Sequence, residues 1–230
     1  MADTPRLSII IPTLDEEATI EDLLSRLREL RVGGAETVVV DGGSLDDTVA
    51  LASPLASRVI VSEPGRSRQM NAGAREARGR QLLFLHADTR LPRGTERLIA
   101  SALSAEHCWG RFDVRLEGRH PLLPVIAGAM NLRSRLTGIA TGDQGLFMTR
   151  EAFDAAGGFP DQPLMEDIEM SRRLKRQSPP ACLRARVTTS GRRWERDGAW
   201  RTLLLMWRLR WRYWRGASAD DLARAYRHVR

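Results

Sequence analysis

The sequence predicts an α/β fold built on a mostly parallel sheet, and three observations carry this prediction. Short apolar segments alternate with helical patterns four times in the first hundred residues, which is typical of βαβ units. The hydrophobic share of 42% and the charged share of 28% are ordinary for a globular chain. No apolar run approaches the ~18 residues that a membrane-spanning helix needs. We therefore expect one domain with an appended segment, and no transmembrane helix.

Four buried strands are expected in the first half, because short β-branched runs end at proline, glycine or polar residues. Helices separate them, the first with leucines and isoleucine on one face, acids in its first turn and Gly33-Gly34 at its end. The expected strands are 7–12, 37–40, 59–61 and 82–85. The first expected helix has Asp15, Glu16 and Glu17 in its first turn and its apolar face from Ile20 to Leu30, and the other expected helices cover 45–55 and 66–78.

Polar clusters follow these strands at 13–17, 41–47 and 86–89, so they should meet at the carboxyl edge of the sheet, where open α/β folds bind ligands. Asp41 is suited to accept hydrogen bonds from a base or ribose. The alternative is a turn in which Ser44 or Asp46 caps a helix. Asp88 is suited to hold Mg²⁺ or Mn²⁺ against a diphosphate, or is a turn residue.

The second half lacks regular alternation, which predicts a mixed sheet and an acceptor-side lobe. Glu166-Asp167 begin a helix after a Gly-Gly-Phe-Pro turn, as catalytic groups or as partners of the helix dipole. Arg192-Arg193-Trp194 are suited to neutralise a diphosphate and stack on a sugar, or form a solvated patch. Strands are expected at 109–116, 145–148 and 183–188, and helices at 121–136 and 166–175.

Several function classes lack their motifs. There is no dinucleotide-binding glycine motif, no phosphate-binding loop, no nucleophile elbow and no metal-ligand spacing among the four histidines. Cys108 and Cys182 lie far apart, and the first five residues do not begin a secretory signal. We expect a cytoplasmic protein without zinc or disulfides.

The motifs together resemble family 2 glycosyltransferases with the GT-A fold, from residue 7 to about 200. The resemblance rests on residues 8–17 (SIIIPTLDEE), Val40–Ser44 with Asp46-Asp47-Thr48, Arg75–Gly79, His86–Asp88, Glu166-Asp167 and Arg192–Trp194. The sequence is also similar to a small bacterial branch of this family that is associated with arsenic- or selenium-linked gene clusters.

The resemblance implies a role for each matching position. Asp167, in the Glu166-Asp167 pair, would be the catalytic base, and Asp88 would bind a divalent metal, Mg²⁺ or Mn²⁺. The residues implied in binding the nucleotide sugar are Pro12, Thr13, Glu16, Asp41, Gly65, Arg66, Asn71, Arg192, Arg193 and Trp194. Two positions depart from the family pattern: Asp15 replaces the common asparagine, and His86 replaces the first acid of the DxD-type motif.

The expected function is inverting transfer of a sugar from a nucleoside-diphosphate sugar, with UDP preferred, to a hydroxyl acceptor that is a small molecule or lipid-linked. One alternative is a sugar-nucleotide pyrophosphorylase, but a glycine-rich phosphate loop is missing and Lys175 is the only lysine. The other is a basic nucleic-acid-binding protein, suggested by the net charge of +7. A neutral body opposes that alternative, so we expect no nucleic-acid partner.

The net positive charge is confined to the end of the chain, where residues 192–230 hold eleven arginines and four acids. We divide the chain into a catalytic domain at 1–197, with halves at about 1–105 and 106–197, and a basic helical tail at 198–230. One helical face is expected to carry Trp200, Leu203, Leu204, Trp207, Trp211 and Trp214, and another Arg201, Arg208, Arg212 and Arg215. We favour packing of the tryptophans on the body. The alternatives are an anionic membrane surface contacted by 198–215, which would make the protein peripheral on the inner face of the membrane, or a homodimer.

Overall fold

A computed structural model describes residues 5–227 and contains one eight-stranded sheet. The strand order is β3-β2-β1-β4-β7-β6-β8-β5. Residues 1–4, where a secretory signal was not expected, and the tail residues 228–230 lie outside the described part. The strands are β1 Leu7–Thr13, β2 Glu36–Asp41, β3 Arg58–Val61, β4 Gln81–Phe84, β5 Thr89–Arg90, β6 Trp109–Glu117, β7 Leu146–Thr149 and β8 Ala181–Ser190.

Strand directions confirm the expected mixed, mostly parallel sheet. Strands β1 to β4 are mutually parallel, with Thr13 beside Asp41 at the carboxyl ends of β1 and β2. Strand β7 runs antiparallel between β4 and β6, and β8 is parallel to β6. The two-residue β5 pairs antiparallel with β8. The carboxyl ends of six strands therefore share one edge.

Helices cover both faces of the sheet, because its central strands are apolar on both sides. Ile9 and Ile11 of β1 belong to one buried cluster, and Ile10 belongs to the other. The helices are α1 Glu17–Arg26, α2 Arg28–Val32, α3 Thr48–Ala52, α4 Arg66–Glu76, α5 Thr95–Ala102, α6 Leu123–Thr137, α7 Arg150–Ala155, α8 Glu166–Leu174, α9 Arg192–Arg196, α10 Ala199–Trp214 and α11 Ala219–Arg227.

The elements differ from the sequence predictions mainly at helix ends. The first predicted helix is interrupted at Leu27 and forms α1 and α2. The second, predicted at 45–55, is the shorter α3, and the turn before it is held by Asp46, which accepts hydrogen bonds from the backbone N–H and the hydroxyl of Thr48. Short elements without a clear period escaped prediction, namely β5, α5, α7, α9 and α11.

The tail packs on the body through a face other than the one expected. Leu209 and Leu222 are buried against Met165 and Ile168, on either side of the Glu166-Asp167 pair. The predicted tryptophan-rich face is instead exposed, with Trp207 at 69%. Packing of that face was therefore the wrong expectation, because leucines and a methionine on the opposite side fill the contact. Within residues 5–227, no helix has the length and apolar character required to cross a bilayer.

Gly73 of α4 sits where this helix meets the sheet most closely. A Cβ atom there would lie 2.5 Å from Ile10 Cγ2 and 2.8 Å from Val40 Cγ2. We predict that Gly73→Ala lowers the free energy of unfolding by about 1–3 kcal/mol, since both β-branched neighbours are buried in a close-packed layer. Urea denaturation measures the change.

The matched control is Gly128→Ala, because Gly128 lies in α6 with no atom within 4 Å of the added Cβ. There the substitution should raise the free energy of unfolding by about 0.4–1 kcal/mol. Equal effects at both glycines would show that α4 does not press on the sheet as described.

Candidate functional site

The loop after β2 is organised by Asp41, whose carboxylate is buried. Its Oδ2 accepts hydrogen bonds from the backbone N–H groups of Gly43 and Ser44, at 2.8 and 2.9 Å, and its Oδ1 accepts one from the Ser44 hydroxyl. Gly43 has a φ of +92°, which favours glycine. Asp41 is thus a turn residue, and one side chain can serve both the turn and a ligand because a carboxylate has about four acceptor positions.

The loop after β1 carries Thr13 and Glu16 and is tied to the Asp41 loop. Gln69 of α4 donates one amide hydrogen bond to the Thr13 carbonyl at 2.7 Å and one to the Val40 carbonyl at 2.9 Å. Pro12 pairs with Val40 in the sheet, and the Glu16 carboxylate accepts from Thr19 Oγ1 at 2.9 Å. The structure therefore brings Pro12, Thr13, Glu16 and Asp41 to one edge.

The start of α4 contributes Gly65 and Arg66. Gly65 has a φ of +135°, and Arg66 Nη1 lies 3.7 Å from Glu166 Oε1. Asn71 of α4 is bonded to the turn that precedes α8: its amide donates to the Phe159 carbonyl at 2.8 Å and accepts from the Phe159 N–H at 2.9 Å. Asn71 holds the Gly-Gly-Phe-Pro turn, and its contact with a nucleotide stays a prediction.

His86 and Asp88 follow β4 and have different surroundings. His86 Nδ1 lies 3.3 Å from Asp143 Oδ1, and a Cβ atom on Gly142 would lie 2.5 Å from His86 Nε2. Asp88 Oδ1 accepts from Thr89 Oγ1 at 3.3 Å and from Thr189 Oγ1 at 3.2 Å. The histidine is thus engaged with the loop before β7, and Asp88 is the acid that faces the end of β8.

The Glu166-Asp167 pair lies at the start of α8, after Met165 in a left-handed conformation with a φ of +67°. Asp167 Oδ2 accepts from the Gly142 N–H at 3.0 Å, and Oδ1 accepts from the Ile168 N–H at 2.7 Å. Burial and the charge of Glu166 raise the pKa of the Asp167 carboxyl to about 6, against these two hydrogen bonds and the charge of Arg66. A carboxylate with this pKa accepts a proton more readily than an ordinary aspartate.

The Arg-Arg-Trp segment forms α9, and its three side chains have separate environments. The guanidinium of Arg193 lies 4.5 Å from the centre of the Tyr226 ring, and its Nε is buried without a hydrogen-bond partner among the described residues. Arg192 is exposed and donates to Ser190 Oγ at 3.1 Å. Trp194 packs partly buried against the core cluster that contains Ala199, so its expected stacking on a sugar stays a prediction.

Three residues of this site, Gly142, Asp143 and Arg133, were not predicted from the sequence. Asp143 sits in the short 3₁₀ turn Gly142–Gln144. Burial acts to raise the pKa of its carboxyl, but the hydrogen bond and charge of His86 and the charges of Arg66 and Arg193 outweigh it, so the pKa is lowered. Gly142 links His86 to Asp167, and only the backbone geometry reveals that link.

Arg133 of α6 is the third. Its Nε and Nη2 are buried with no hydrogen-bond partner in residues 5–227. Burial lowers the pKa of this guanidinium against the opposing charges of Asp167 and Asp143. The sequence does not mark Arg133 as a site residue, because it lies in an ordinary amphipathic helix and belongs to no motif. Its place near Asp167 and Asp143 arises only from the packing of α6.

The residues fit a divalent metal only as one shared with a ligand. No group of three or more histidine, cysteine, aspartate or glutamate side chains in the described part of the chain is arranged to hold a metal ion. Mg²⁺ is commonly bound by one or two carboxylates together with substrate phosphates, and Asp88 offers such a carboxylate.

The family model for glycosyl transferase family 2 matches residues 8–155. The chain belongs to this family. A PGL/p-HBAD biosynthesis glycosyltransferase of Mycobacterium tuberculosis is 36% identical over 110 residues, which covers 45% of this chain and 43% of that protein. The dolichol-phosphate mannosyltransferase of Mycosarcoma maydis is 32% identical over 105 residues, covering 40% and 36%. Each match therefore spans less than half of the curated relative.

Solved structures show the same fold at lower identity. The mannosyltransferase PcManGT from Pyrobaculum calidifontis, in complex with GDP-Man and Mn²⁺, has a TM-score of 0.66 at 21% identity, covering 99% of this chain and 70% of its own. TarS of S. aureus in complex with UDP has a TM-score of 0.65 at 18% identity, covering 80% and 60%. These similarities confirm the predicted GT-A fold.

The raised pKa of Asp167 predicts a pH-dependent cost to stability. Because the folded-state pKa of about 6 exceeds the ordinary 3.8, the native state favours the protonated carboxyl, and its ionisation destabilises the fold as pH rises from about 4 to above 6. Asp167→Asn should therefore stabilise the protein above pH 6, by at most about 3 kcal/mol in the free energy of unfolding, and so raise Tm relative to the parent. The gain should vanish near pH 4. Thermal unfolding across this pH range measures it.

Asp154→Asn on α7 is the control, since Asp154 is exposed. Its Tm difference from the parent should not vary with pH in the same way. A difference for Asp167→Asn that is constant from pH 4 to pH 8 would contradict the raised pKa.

Proposed function

We propose that the protein is an inverting glycosyltransferase with Asp167 as the catalytic base. The observation that carries this proposal is the carboxylate of Asp167, with a pKa of about 6, at the start of α8 and bonded to the loop that holds His86. Inversion needs one base and no protein nucleophile, which agrees with a site built from carboxylates and arginines. Glu166 keeps its ion pair to Arg66 and acts through its charge on Asp167.

The donor proposed is a nucleoside-diphosphate sugar, with UDP preferred. Solved neighbours contain UDP, UDP-GlcNAc and GDP-Man. In this chain Thr13 and Asp41 lie side by side at the carboxyl ends of β1 and β2, and the donor nucleotide is proposed to bind there. The base and ribose would contact Pro12, Thr13, Glu16, Asp41 and Gly65, and Arg66, which is half exposed, would lie beside them. These assignments rest on the family pattern and on the gathering of the residues at one edge.

A divalent metal, Mg²⁺ or Mn²⁺, is proposed at Asp88, shared with the donor diphosphate. Neighbours were solved with UDP and Mg²⁺ or with GDP-Man and Mn²⁺. When bound, such an ion offsets negative charge on the departing diphosphate. Two threonine hydroxyls donate to Asp88 Oδ1 and so orient the carboxylate that would hold the ion. His86 is not proposed as a ligand, because it faces Asp143.

The chain's own residues then divide the reaction between them. Asp167 takes the proton from the acceptor hydroxyl as that oxygen attacks the anomeric carbon, and the bond to the diphosphate oxygen breaks. Arg192 and Arg193 lie after β8 and offer positive charge to the leaving diphosphate. Arg133 supplies a buried charge beside Asp143 and Asp167. Positioning at one sheet edge provides much of the remaining rate.

Neither alternative from the sequence is favoured. The family match and the fold of the solved neighbours support glycosyl transfer over a pyrophosphorylase or a nucleic-acid-binding protein. The division at residue 197, the acceptor, a homodimer and the cytoplasmic location remain proposals. The arsenic- or selenium-linked branch stays a prediction, supported by motif resemblance only.

We predict that Asp167→Asn leaves donor binding nearly unchanged and lowers turnover by about 10² or more, the scale of a lost general base. Release of UDP from UDP-sugars in the presence of an acceptor screen measures turnover, and calorimetry measures donor binding. The control is Asp154→Asn, which should retain full turnover. Parental turnover in Asp167→Asn would contradict the base assignment, and lost nucleotide binding would give Asp167 a donor role.

A second prediction separates nucleotide contact from metal contact. Asp88→Ala should abolish the Mn²⁺-dependent part of UDP binding, because it removes the carboxylate proposed to share the ion. Asp41→Ala should weaken UDP binding with or without Mn²⁺, because the loop after β2 loses its acceptor. Calorimetric titration of both variants tests this division. Retained Mn²⁺ dependence in Asp88→Ala would place the ion elsewhere.

A further inference from the structure

The largest exposed apolar surface of the tail is the tryptophan face of α10. We define this face by five side chains and their exposed fractions: Trp200 at 64%, Leu204 at 66%, Trp207 at 69%, Trp211 at 57% and Trp214 at 72%. Their spacing of four and three residues keeps them on one side of a helix of 3.6 residues per turn, over a length of about 20 Å. Exposed large apolar patches of this kind mark interaction surfaces.

The tryptophan face is exposed although α10 is firmly packed on the body. The opposite side of α10 is held on the body, where Leu209 is 1% exposed and joins the buried cluster with Met165 and Ile168. Leu205 and Met206 pack against the same cluster. The helix is therefore fixed by one apolar side and presents a second one outward.

Positive charge borders the tryptophan face along its length. Arg201, Arg208 and Arg215 are exposed, and each directly follows a tryptophan, so each lies about 100° around the helix axis from that ring. The guanidinium of Arg215 lies 5.2 Å from the centre of the Trp211 ring. Tryptophan prefers the membrane–water interface, and arginines beside it attract anionic headgroups while their stems contact apolar groups.

We propose that the tryptophan face docks on an anionic membrane surface, with α10 lying in the plane of the interface. Charge complementarity selects this partner, because the whole net charge of +7 is located in residues 192–230. A second copy of the chain would cover the tryptophans but would bring two arginine-rich helices together, which like-charge repulsion opposes.

The docking has a consequence for the acceptor, and this step rests on the proposed glycosyl transfer. The inner side of α10 contacts Met165 and Ile168, which flank the base Asp167. A docked helix of about 10–12 Å diameter therefore holds the base close to the lipid surface. The acceptor hydroxyl is accordingly assigned to a lipid or a lipid-linked molecule rather than to a freely diffusing one.

Co-sedimentation of the full chain tests the docking. The probes are vesicles of phosphatidylcholine alone and of phosphatidylcholine with phosphatidylglycerol, at about 0.1 M and about 1 M salt, where the Debye length falls from ~10 to ~3 Å. We expect pelleting with the anionic vesicles at low salt, at least tenfold less at high salt, and little with the neutral vesicles. Tryptophan emission should shift to shorter wavelength on binding, because four of the six tryptophans lie on the tryptophan face.

Two variants, each with a matched control, locate the surface. The double variant Trp207→Ser/Trp211→Ser should lose at least tenfold in vesicle binding, whereas Val32→Ser/Val61→Ser, at exposed apolar positions on the body, should retain it. The triple variant Arg201→Gln/Arg208→Gln/Arg215→Gln should lose the salt-dependent part, whereas Arg28→Gln/Arg93→Gln/Arg97→Gln should not, although it removes the same charge from exposed positions. Circular dichroism confirms folding. If a variant fails to fold, quenching of the parent's tryptophans by brominated lipids gives the same information.

The results separate the docking from the proposed function. Absence of pelleting with anionic vesicles at low salt overturns the docking, and so does a concentration-dependent dimer that only Trp207→Ser/Trp211→Ser disrupts. Vesicle binding without any UDP binding or turnover leaves the docking intact and removes the proposed function. Transfer of label from UDP-sugars into the chloroform-extractable fraction of bacterial lipid vesicles is expected. Transfer confined to water-soluble products overturns the lipid acceptor.

Discussion

The close approach of Gly142 to His86 and Asp167 is the contact on which the arrangement of the site depends. Its N–H donates to Asp167 Oδ2, and a Cβ atom on it would lie 2.5 Å from His86 Nε2, so a side chain there would displace the His86 ring. His86 belongs to the loop after β4, in the parallel part of the sheet, whereas Asp167 begins α8, which follows the antiparallel strand β7 in the chain. One residue without a side chain therefore joins the loop after β4 to the start of α8.

This junction depends on the order of the strands. Strand β7 runs antiparallel between β4 and β6, so the turn that precedes it is delivered to the carboxyl edge of the parallel strands. Thr141 and Gln144 cap that turn reciprocally, and Gln144 is buried. The loop is thus held by its own hydrogen bonds and by a buried amide, which fixes the backbone N–H that donates to Asp167.

Charges of both signs are concentrated around this junction, and their balance explains why one acid differs from its neighbours. Asp143 has His86 beside it, which stabilises its charged form against the effect of burial, whereas for Asp167 burial and the charge of Glu166 both favour the protonated form. The carboxyls of Asp143 and Asp167 therefore have pKa values shifted in opposite directions. Such a separation is what allows one acid to take up a proton while the other stays ionised.

The parallel half of the fold and its strand-end residues could be predicted, because buried strands and the loops after them are marked by local patterns. The places of Asp41 and Asp88 after buried strands were predicted in this way, and that of Asp167 at a helix start was predicted from the Gly-Gly-Phe-Pro turn before it, although most of their hydrogen-bond partners were not. Asp143 and Arg133 were missed because their relation to the site arises from the antiparallel insertion of β7 and from the position of α6, neither of which has a local pattern. Asn71 is a further case, since its amide bonds to the backbone of Phe159, a partner that no local pattern indicates, while its contact with a nucleotide stays a prediction.

Helix α10 shows why periodicity alone does not identify the buried side of a helix. The most hydrophobic side by sequence, with four tryptophans, is exposed, and a side with Leu209, Leu205 and Met206 is packed. A helix that is apolar over most of its circumference has two candidate contact sides. Its hydrophobic pattern therefore predicts that the helix is buried on at least one side, but it does not predict which side packs on the body. The packed side brings Leu209 and also the ring of Tyr213 to the cluster around Met165 and Ile168, so the presence of a large ring does not by itself decide which side is covered. The tryptophan rings lie on the other side, and only a second apolar phase or surface would remove them from water.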